Sequence, residues 1–159
     1  MKQRRHNPLI NSATGGRFLS ASQLFFFLLH PPKGFGVITT TGRVSGKRRR
    51  RCIRAIRDGE RVLVVAMHGA AITGWAKNAL ASPEVKLRIR GGTFSGRIRE
   101  VEGETERAAA ERAYCETVNP FDFLECMMWV KGRPSRQKIV ALHRGWFASG
   151  TPLVAELSA

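Results

Sequence analysis

The sequence predicts an α+β barrel-like domain of five to six mostly antiparallel strands, with its longer helices before and after them. Three observations support this fold class. Short apolar or alternating stretches recur along the middle of the chain, separated by turn signals such as Asp58-Gly59 and Gly91-Gly92. One short helical pattern interrupts the strands, and the other helical patterns lie outside them. A length of 159 residues with 43% apolar content is enough for one packed core.

The N-terminal part combines a polar segment with a helix. Residues 1–16 are basic and polar, and we expect a flexible arm, followed by a single domain over residues 17–159. A helix from Arg17 to about His30 is predicted, because Pro31-Pro32 cannot continue it. Its three consecutive phenylalanines, residues 25–27, are expected in the core or lining a pocket.

Six strands are predicted from turn signals and periodicity. The Arg61–Met67 segment is almost continuously apolar, which is typical of a strand buried on both faces. Residues 85–89 alternate apolar and basic side chains, which indicates a strand with one buried face. The other predicted strands are Gly34–Thr41, Arg48–Arg57, Phe94–Val101 and Thr151–Leu157.

Four further helices are predicted after the first strands. A short helix over Gly74–Ala81 ends at Ser82-Pro83. The acidic start and alanine-rich middle of Gly103–Val118 favour a longer helix, which Asn119-Pro120 ends. The remaining two helices are predicted over Phe121–Val130 and Pro134–Ser149.

The charge of the chain is unusual in both size and distribution. The formal net charge is +15. Residues 1–57 carry thirteen Lys or Arg and no Asp or Glu, whereas the rest of the chain is close to balanced. The expected partner is therefore anionic, which leaves three classes: a phosphorylated or polycarboxylate cofactor, a nucleic acid, or an anionic membrane surface.

Cysteine and apolar patterns limit the cellular setting. The three cysteines are too scattered for a disulfide framework, and neither they nor the four histidines have metal-ligand spacing. We therefore expect reduced thiols, no metal and a cytoplasmic location. The Leu24–Leu29 apolar run is too short to span a bilayer. It fits either a helix that covers the open end of the domain or a peripheral membrane contact.

The segment from residue 39 to residue 51 is the most informative for function. It reads TTTGRVSGKRRRR, and two glycines, Gly42 and Gly46, frame its loop. Glycine lets the backbone turn its N–H groups toward an anion, and arginine matches phosphate or carboxylate oxygens in pairs. Because strand residues alternate faces, Arg49 and Arg51 are expected on one face, and Arg48 and Arg50 on the other. The loop predicts a site for an anionic ligand.

A longer pattern carries a resemblance to a known family. Its parts are Thr39-Thr40-Thr41-Gly42-Arg43-x-Ser45-Gly46, a basic strand, Asp58-Gly59, an apolar strand, and Gly74-Trp75-x-x-Asn78-x-x-Ala81-x-Pro83-Glu84-Val85. In order and spacing this resembles the deazaflavin-dependent nitroreductase family. The resemblance implies a split β-barrel related to FMN-binding barrels and coenzyme F420 as cofactor, with FMN less favoured.

The resemblance also implies a set of cofactor-binding residues. The loop residues would contact the phosphate and carboxylate tail, the basic strand would follow the ring and ribityl chain, the end of the apolar strand would lie under the deazaflavin, and the short helix would close over it. These residues are Thr41, Gly42, Arg43, Val44, Ser45, Arg49, Arg51, Cys52, Ile53, Arg54, Val65, Ala66, Met67, His68, Gly74, Trp75, Ala76, Lys77 and Asn78.

The expected activity is hydride transfer from reduced F420 to a small electron-poor acceptor, namely an activated C=C bond, a quinone or a nitro compound. No nucleophile–base arrangement is visible, which suits chemistry done by a cofactor. Tyr114 and His68 are candidate proton donors by chemistry alone. The alternative is a non-catalytic barrel that binds a fatty acid, haem or another apolar ligand. Nucleic-acid binding is not expected, and the chain could be a monomer or a homodimer.

Overall fold

Seven antiparallel strands form one curled sheet in the computed structural model, which describes residues 22–67 and 74–158. The strands are β1 (Phe35–Thr41), β2 (Arg48–Arg54), β3 (Ile56–Asp58), β4 (Arg61–Ala66), β5 (Glu84–Ile89), β6 (Gly92–Glu100) and β7 (Thr151–Leu157). The described helices are α1 (residues 22–29), α2 (Gly74–Ala81), α3 (Gly103–Glu116), α4 (Pro120–Trp129) and α5 (Arg136–Ser149). The predicted N-terminal arm, the start of the first helix and His68 lie outside the described residues.

The sheet curls because one stretch of chain forms both of its edges. The strand order is β2-β1-β5-β6-β7-β4-β3, so β2 and β3 are opposite edges, although Ala55 alone separates them in sequence. The Ala55 amide donates a 2.8 Å hydrogen bond to the Gly34 carbonyl. The prediction of one strand from Arg48 to Arg57 is therefore wrong, because the chain leaves one edge at Ala55 and joins the other. The predicted α+β barrel-like fold is confirmed, with seven strands instead of about six.

The barrel interior is filled by apolar side chains from the strands and from α2. Val85, Leu87 and Ile89 are all buried there, which confirms the alternation predicted for β5. α2 contributes Trp75 and a small-residue face to the same core. The interior core consists of Ile38, Ile53, Ala55, Val62, Val64, Ala66, Trp75, Ala76, Ala79, Val85, Leu87, Ile89, Ile98, Leu153 and Ala155.

Helices cover the outer face of the sheet in two places. α3 and α5 pack over β4 and β7, where Tyr114 and Phe147 join Leu63 in a second core. α1 and α4 lie over β1 and β2, and three rings hold them there. The Phe121 ring of α4 is 5.4 Å from Phe27 of α1 and 4.9 Å from Phe35 of β1, measured between centroids. Within the described chain, none of the helices has the length and apolar character required to cross a bilayer.

A buried ion pair joins β2 to α4. The Arg54 guanidinium pairs with the Asp122 carboxylate, and the two side chains are 4% and 0% exposed. Arg54 also donates to the carbonyls of Thr117 at 2.7 Å and Tyr114 at 3.2 Å. The second carboxylate oxygen of Asp122 accepts a 2.6 Å bond from the Asn119 amide at the start of α4. These bonds fix α4 against the edge strand.

The same region brings three potential metal ligands together. Ligand atoms of Asp122, Glu125 and His143 all lie within 4.8 Å of one another. Arg54 already supplies the positive charge next to Asp122, so a cation here would face a buried guanidinium. Burial raises the pKa of Glu125 to about 7. We therefore interpret these groups as part of the ion-pair network that holds α4.

A second, exposed network lends itself to a pH experiment. The Arg99 guanidinium donates two bonds to Glu106, at 2.8 and 2.9 Å, and this lowers the pKa of Glu106 from 4.5 to about 2. A carboxyl whose pKa is lowered in the folded state stabilises the fold at pH values above its unfolded-state pKa. That stabilisation is lost as the pH falls to the folded-state pKa. We expect Glu106→Gln to melt below wild type at pH 7, and the gap in Tm to close between about pH 4.5 and 2. Glu104→Gln is the control; a gap that does not change with pH would contradict the assignment.

Candidate functional site

The glycine loop between β1 and β2 is a tight, internally bonded turn. The Gly42 amide donates to the Lys47 carbonyl at 2.8 Å, and the Gly46 amide donates to the Gly42 carbonyl at 2.7 Å. Gly46 has a φ of +65°, which only glycine adopts readily. A Cβ atom at Gly42 would lie 2.8 Å from the Ser45 hydroxyl oxygen. Both glycines are therefore needed for the shape of the loop.

The tip of this loop is held by α2 and is open to solvent. The Arg43 amide donates a 3.2 Å hydrogen bond to the Asn78 side-chain oxygen, so Asn78 contacts the loop itself. Val44 is 90% exposed, and the Arg43 and Ser45 side chains are exposed as well. The amides of Val44 and Ser45 donate to no residue in the described part of the chain. The tip thus presents a cation and backbone donors, a combination that binds anions.

Strand β2 adds cations on the side of the barrel interior. Arg49 pairs with Thr40 of β1, and Arg51 pairs with the buried Ile38, so both arginines lie on the interior face, as the alternation predicts. The Arg49 stem reaches the loop, because its Cγ would be 3.8 Å from a Cβ at Gly42. The arginines, Gly42 and the loop tip therefore form one continuous positive surface.

Thr40 lies buried beside this surface and was not among the predicted site residues. The side chain is 2% exposed, and its hydroxyl has no hydrogen-bond partner in the described ranges. A buried hydroxyl normally has a partner, so an unpaired one beside Arg49 is a candidate ligand contact. The signal was present in the sequence, because Thr40 alternates with Ile38 on the face that β1 shares with Arg49 and Arg51.

Three of the predicted β2 residues lie away from the loop. Cys52 packs against the Phe27 and Phe35 cluster under α1, and burial raises the pKa of its thiol to about 11. Arg54 pairs with Asp122 of α4, and Ile53 is buried in the barrel core. Their contacts are with helices and core, so we leave these three residues out of the site.

The predicted residues of β4 and α2 also divide into separate groups. Val65 faces the core under α3 and α5, whereas Ala66 belongs to the barrel interior and Met67 is half-buried at the end of β4. Trp75 and Ala76 are buried in the interior core, while Gly74 and Lys77 are exposed. His68 lies in the undescribed range 68–73. α2 therefore contributes a floor through Trp75, and it contributes Asn78 as the contact to the loop.

Two other features do not belong to this site. Tyr114 is 3% exposed beneath α5, and burial raises its pKa well above the usual range, so it is not placed to donate a proton near the loop. A cleft of about 490 Å³ lies instead at the start of α3. Its charged lining is Asp58, Arg61, Glu102, Glu104 and Glu106. That excess of carboxylates is the wrong sign for an anionic ligand.

Comparisons with known proteins agree with this architecture. A family model described as F420H(2)-dependent quinone reductase matches residues 30–123, more than half of the chain. No curated protein sequence gives a significant match.

Among solved structures, one described as a domain-swapped dimer is 18% identical, covers 90% of this chain and 94% of its own, and has a TM-score of 0.50. A heme binding protein from Mycobacterium smegmatis is 12% identical, covers 87% of this chain and 52% of its own, and has a TM-score of 0.51. An F420-H2 dependent reductase is 18% identical over 77% of this chain and 94% of its own, with a TM-score of 0.47. At these identities, the first two likenesses show the fold alone.

The family match includes the glycine loop, the basic strand and α2, which are the elements that form the site described above. The chain therefore belongs to the F420H(2)-dependent quinone reductase family and is a reductase whose cofactor is coenzyme F420.

Proposed function

We propose that this reductase transfers a hydride from reduced F420 to a small electron-poor acceptor, and that the acceptor is a quinone in preference to an activated C=C bond or a nitro compound. The family description favours the quinone. The observation that carries the proposal is that the loop tip, where the Arg43 amide bonds to Asn78, adjoins the interior face of β2, where the Arg49 stem lies beside Gly42.

The donor set fits the coenzyme. The tail of F420 carries a phosphodiester and glutamate carboxylates, all of which accept hydrogen bonds and carry negative charge. The site offers the guanidinium groups of Arg43 and Arg49, the amides of Val44 and Ser45, and the Thr40 hydroxyl. Charge-assisted bonds of this kind are about twice as strong as neutral ones. We therefore assign the tail to the loop and to the interior face of β2.

The protein's part in the reaction is binding and orientation. When bound in its reduced form, the deazaflavin supplies the hydride. Arg43 and Arg49 would hold the anionic end of the coenzyme, at the loop tip and on the interior face of β2. Trp75, on the same helix as the loop contact Asn78, is buried with Ala66 in the apolar interior core, which excludes water from that part of the barrel. Fixed orientation of two reactants can lower a barrier by several kcal/mol.

The direct test is titration of the full chain with oxidised F420, followed by coenzyme fluorescence. We expect saturable binding at micromolar concentrations, and then oxidation of reduced F420 when a soluble quinone is added. An enone and a nitroarene serve as comparison acceptors. Absence of binding at micromolar protein and modest salt would overturn the assignment of the site. If F420 binds but no acceptor is reduced, the proposed reaction is wrong, whereas the assignment of the binding site still holds.

Asn78 offers a finer test of the loop. Asn78→Ala removes the acceptor for the Arg43 amide but no charged group. One neutral hydrogen bond contributes about 1 kcal/mol, so we expect F420 affinity to fall roughly fivefold. Lys77→Ala, a change at the exposed neighbouring position, is the comparison for charge. An unchanged dissociation constant in Asn78→Ala would show that the loop keeps its shape without α2.

The alternative of a carrier for an apolar ligand has less support. The barrel interior is occupied by side chains such as Leu87 and Leu153, both fully buried. The C-terminal aromatic residues pair with one another, as the 6.3 Å contact between Trp129 and Trp146 illustrates. A co-purified lipid or haem in native mass spectrometry, together with no response to F420, would favour the carrier. The same spectra would distinguish a monomer from a homodimer.

A further inference from the structure

Six large apolar side chains are exposed on two neighbouring helices. α1 exposes Phe25, Phe26 and Leu29, and α4 exposes Phe123, Leu124 and Met127, each between 39% and 70% exposed. Residues 25–27 were predicted to be core or pocket residues, but of the three only Phe27 is buried. We call these six residues the two-helix apolar surface.

The two helices contact each other, so their exposed apolar side chains lie in one region of the outer face. The buried rings of Phe27 in α1 and Phe121 in α4 are in contact, with 5.4 Å between centroids. The two acids of α4, Asp122 and Glu125, point inward toward Arg54. The outward face of α4 therefore carries no exposed carboxylate, and water meets apolar side chains across both helices. A contiguous exposed apolar patch rimmed by polar groups is typical of an interaction site.

A row of cations lies beside this surface on the same side of the sheet. Arg50 of β2 and Lys86 of β5 both pair with Thr39 of β1. The next row along is Cys52–Val37–Arg88, which α1 covers, and Arg88 donates to the Leu28 carbonyl of α1 at 3.1 Å. The outer-face cations are Arg48, Arg50 and Lys86. All three are exposed, and no described carboxylate forms an ion pair with them.

We propose that the two-helix apolar surface and the outer-face cations together form a docking surface for an anionic lipid bilayer. Apolar side chains on interfacial helices insert at the boundary between headgroups and acyl chains, and cations beside them attract anionic lipids. The outer-face cations cannot also hold the F420 tail, because they project from the opposite face of β2 to Arg49 and Arg51. The proposal therefore goes beyond the proposed function and does not depend on it.

Charge favours a bilayer over a second copy of this chain. A symmetric dimer through the same surface would place the same groups near each other, and Arg48, Arg50 and Lys86 would face their own copies without counter-charges. The whole chain carries +15, which adds to that repulsion. An anionic leaflet instead neutralises these charges, and each basic residue near such a surface contributes about 1 kcal/mol of binding.

The test is co-sedimentation of the full chain with vesicles of phosphatidylcholine containing about 30% phosphatidylglycerol, at ~0.15 M salt. We expect the wild type to bind these vesicles and to bind pure phosphatidylcholine at least tenfold more weakly. Phe25→Asn with Leu124→Asn should weaken binding roughly tenfold or more, because two apolar side chains leave the interface. Arg50→Gln with Lys86→Gln should weaken it roughly thirtyfold on anionic vesicles.

Matched controls separate this surface from general basicity. Arg112→Gln with Arg144→Gln removes the same charge from α3 and α5 and should leave vesicle binding within about twofold. Leu80→Asn changes an exposed apolar residue on α2 and should have no effect. The proposal fails if wild type binds neither kind of vesicle. It also fails if both pairs of variants bind like wild type, or if the substitutions instead dissociate a dimer that has no vesicle affinity.

Discussion

Asp122→Ala is expected to lower the free energy of unfolding by about 3–5 kcal/mol, the usual cost of removing one partner from a buried ion pair. The Arg54 side chain is 4% exposed and would keep its charge without a carboxylate beside it. Asn119 would also lose the acceptor of its amide at the start of α4. Chemical denaturation in urea measures the effect, and a fall in the midpoint at unchanged slope would assign it to stability.

An exposed ion pair provides the matched control. The Arg97 guanidinium and the Glu84 carboxylate are 2.9 Å apart, but their side chains are 68% and 71% exposed. We expect Glu84→Ala to change stability by about 0–1 kcal/mol. A double variant, Arg54→Met with Asp122→Leu, should recover part of the loss, because no buried charge is left unpaired. Equal losses in Asp122→Ala and Glu84→Ala would contradict the role given to the buried pair.

Arg43→Ala with Arg49→Ala is expected to weaken F420 binding by about a hundredfold or more. Hydrogen bonds to charged groups contribute about 1.5–3 kcal/mol each, and here two of them are removed from the proposed tail site. Equilibrium titration of coenzyme fluorescence gives the dissociation constant directly. Because the remaining interactions with the ring are kept, turnover at saturating F420 should fall much less than the affinity.

The chain contains a near-ideal control for this experiment. Arg48→Ala with Arg50→Ala removes the same charge from the same strand but from its outer face. This pair should leave F420 affinity within about threefold, apart from a general loss of attraction that salt would reduce. Equal losses from the two pairs would show that β2 acts only through its total charge. If the Arg48 and Arg50 pair weakens only vesicle binding and the Arg43 and Arg49 pair weakens only F420 binding, the two faces of β2 have separate functions.

Much of the fold follows from local sequence signals. Ser82-Pro83 ends α2 and Gly150 precedes β7, and both elements have the predicted boundaries. α3 ends at Glu116, two residues before the predicted end, because Thr117 is already extended ahead of Asn119-Pro120. The alternation in β5 identified three buried residues correctly. These signals are local, since each depends on a few neighbouring residues.

Other features depend on contacts between distant parts of the chain and were not predictable in this way. At Ala55 the chain passes from edge strand β2 to edge strand β3, which requires the curled sheet to bring its two edges together. No local signal in residues 48–58 reveals this. Arg54 looked like one more cation of the basic strand, yet its partner is Asp122 on a helix 68 positions away. Phe25 and Phe27 are the same residue type, yet Phe25 is exposed and Phe27 is buried. Phe27 is buried because its ring packs against Phe121.

The candidate site likewise contains features that follow from local sequence and features that depend on distant contacts. The loop was recognisable because its glycines and arginines follow one another in sequence, and the facing of Arg49 and Arg51 followed from alternation alone. The hydrogen bond from the Arg43 amide to Asn78 spans 35 positions and required the fold. Residue-by-residue transfer from a family pattern also included Cys52 and Val65; both pack under helices here, and a role in cofactor binding stays a prediction for them.

The change of edge at Ala55 has a thermodynamic consequence for the living enzyme. The residues proposed to hold the coenzyme include Arg49 and Arg51 of β2, which Ala55 alone separates from β3 at the opposite edge of the sheet. A ligand that binds only the folded form, in which both edges are in place, stabilises it by mass action, by about 2.7 kcal/mol at a hundred times its dissociation constant. A cell's supply of F420 would then set how long each copy survives proteolysis, as well as how fast it turns over.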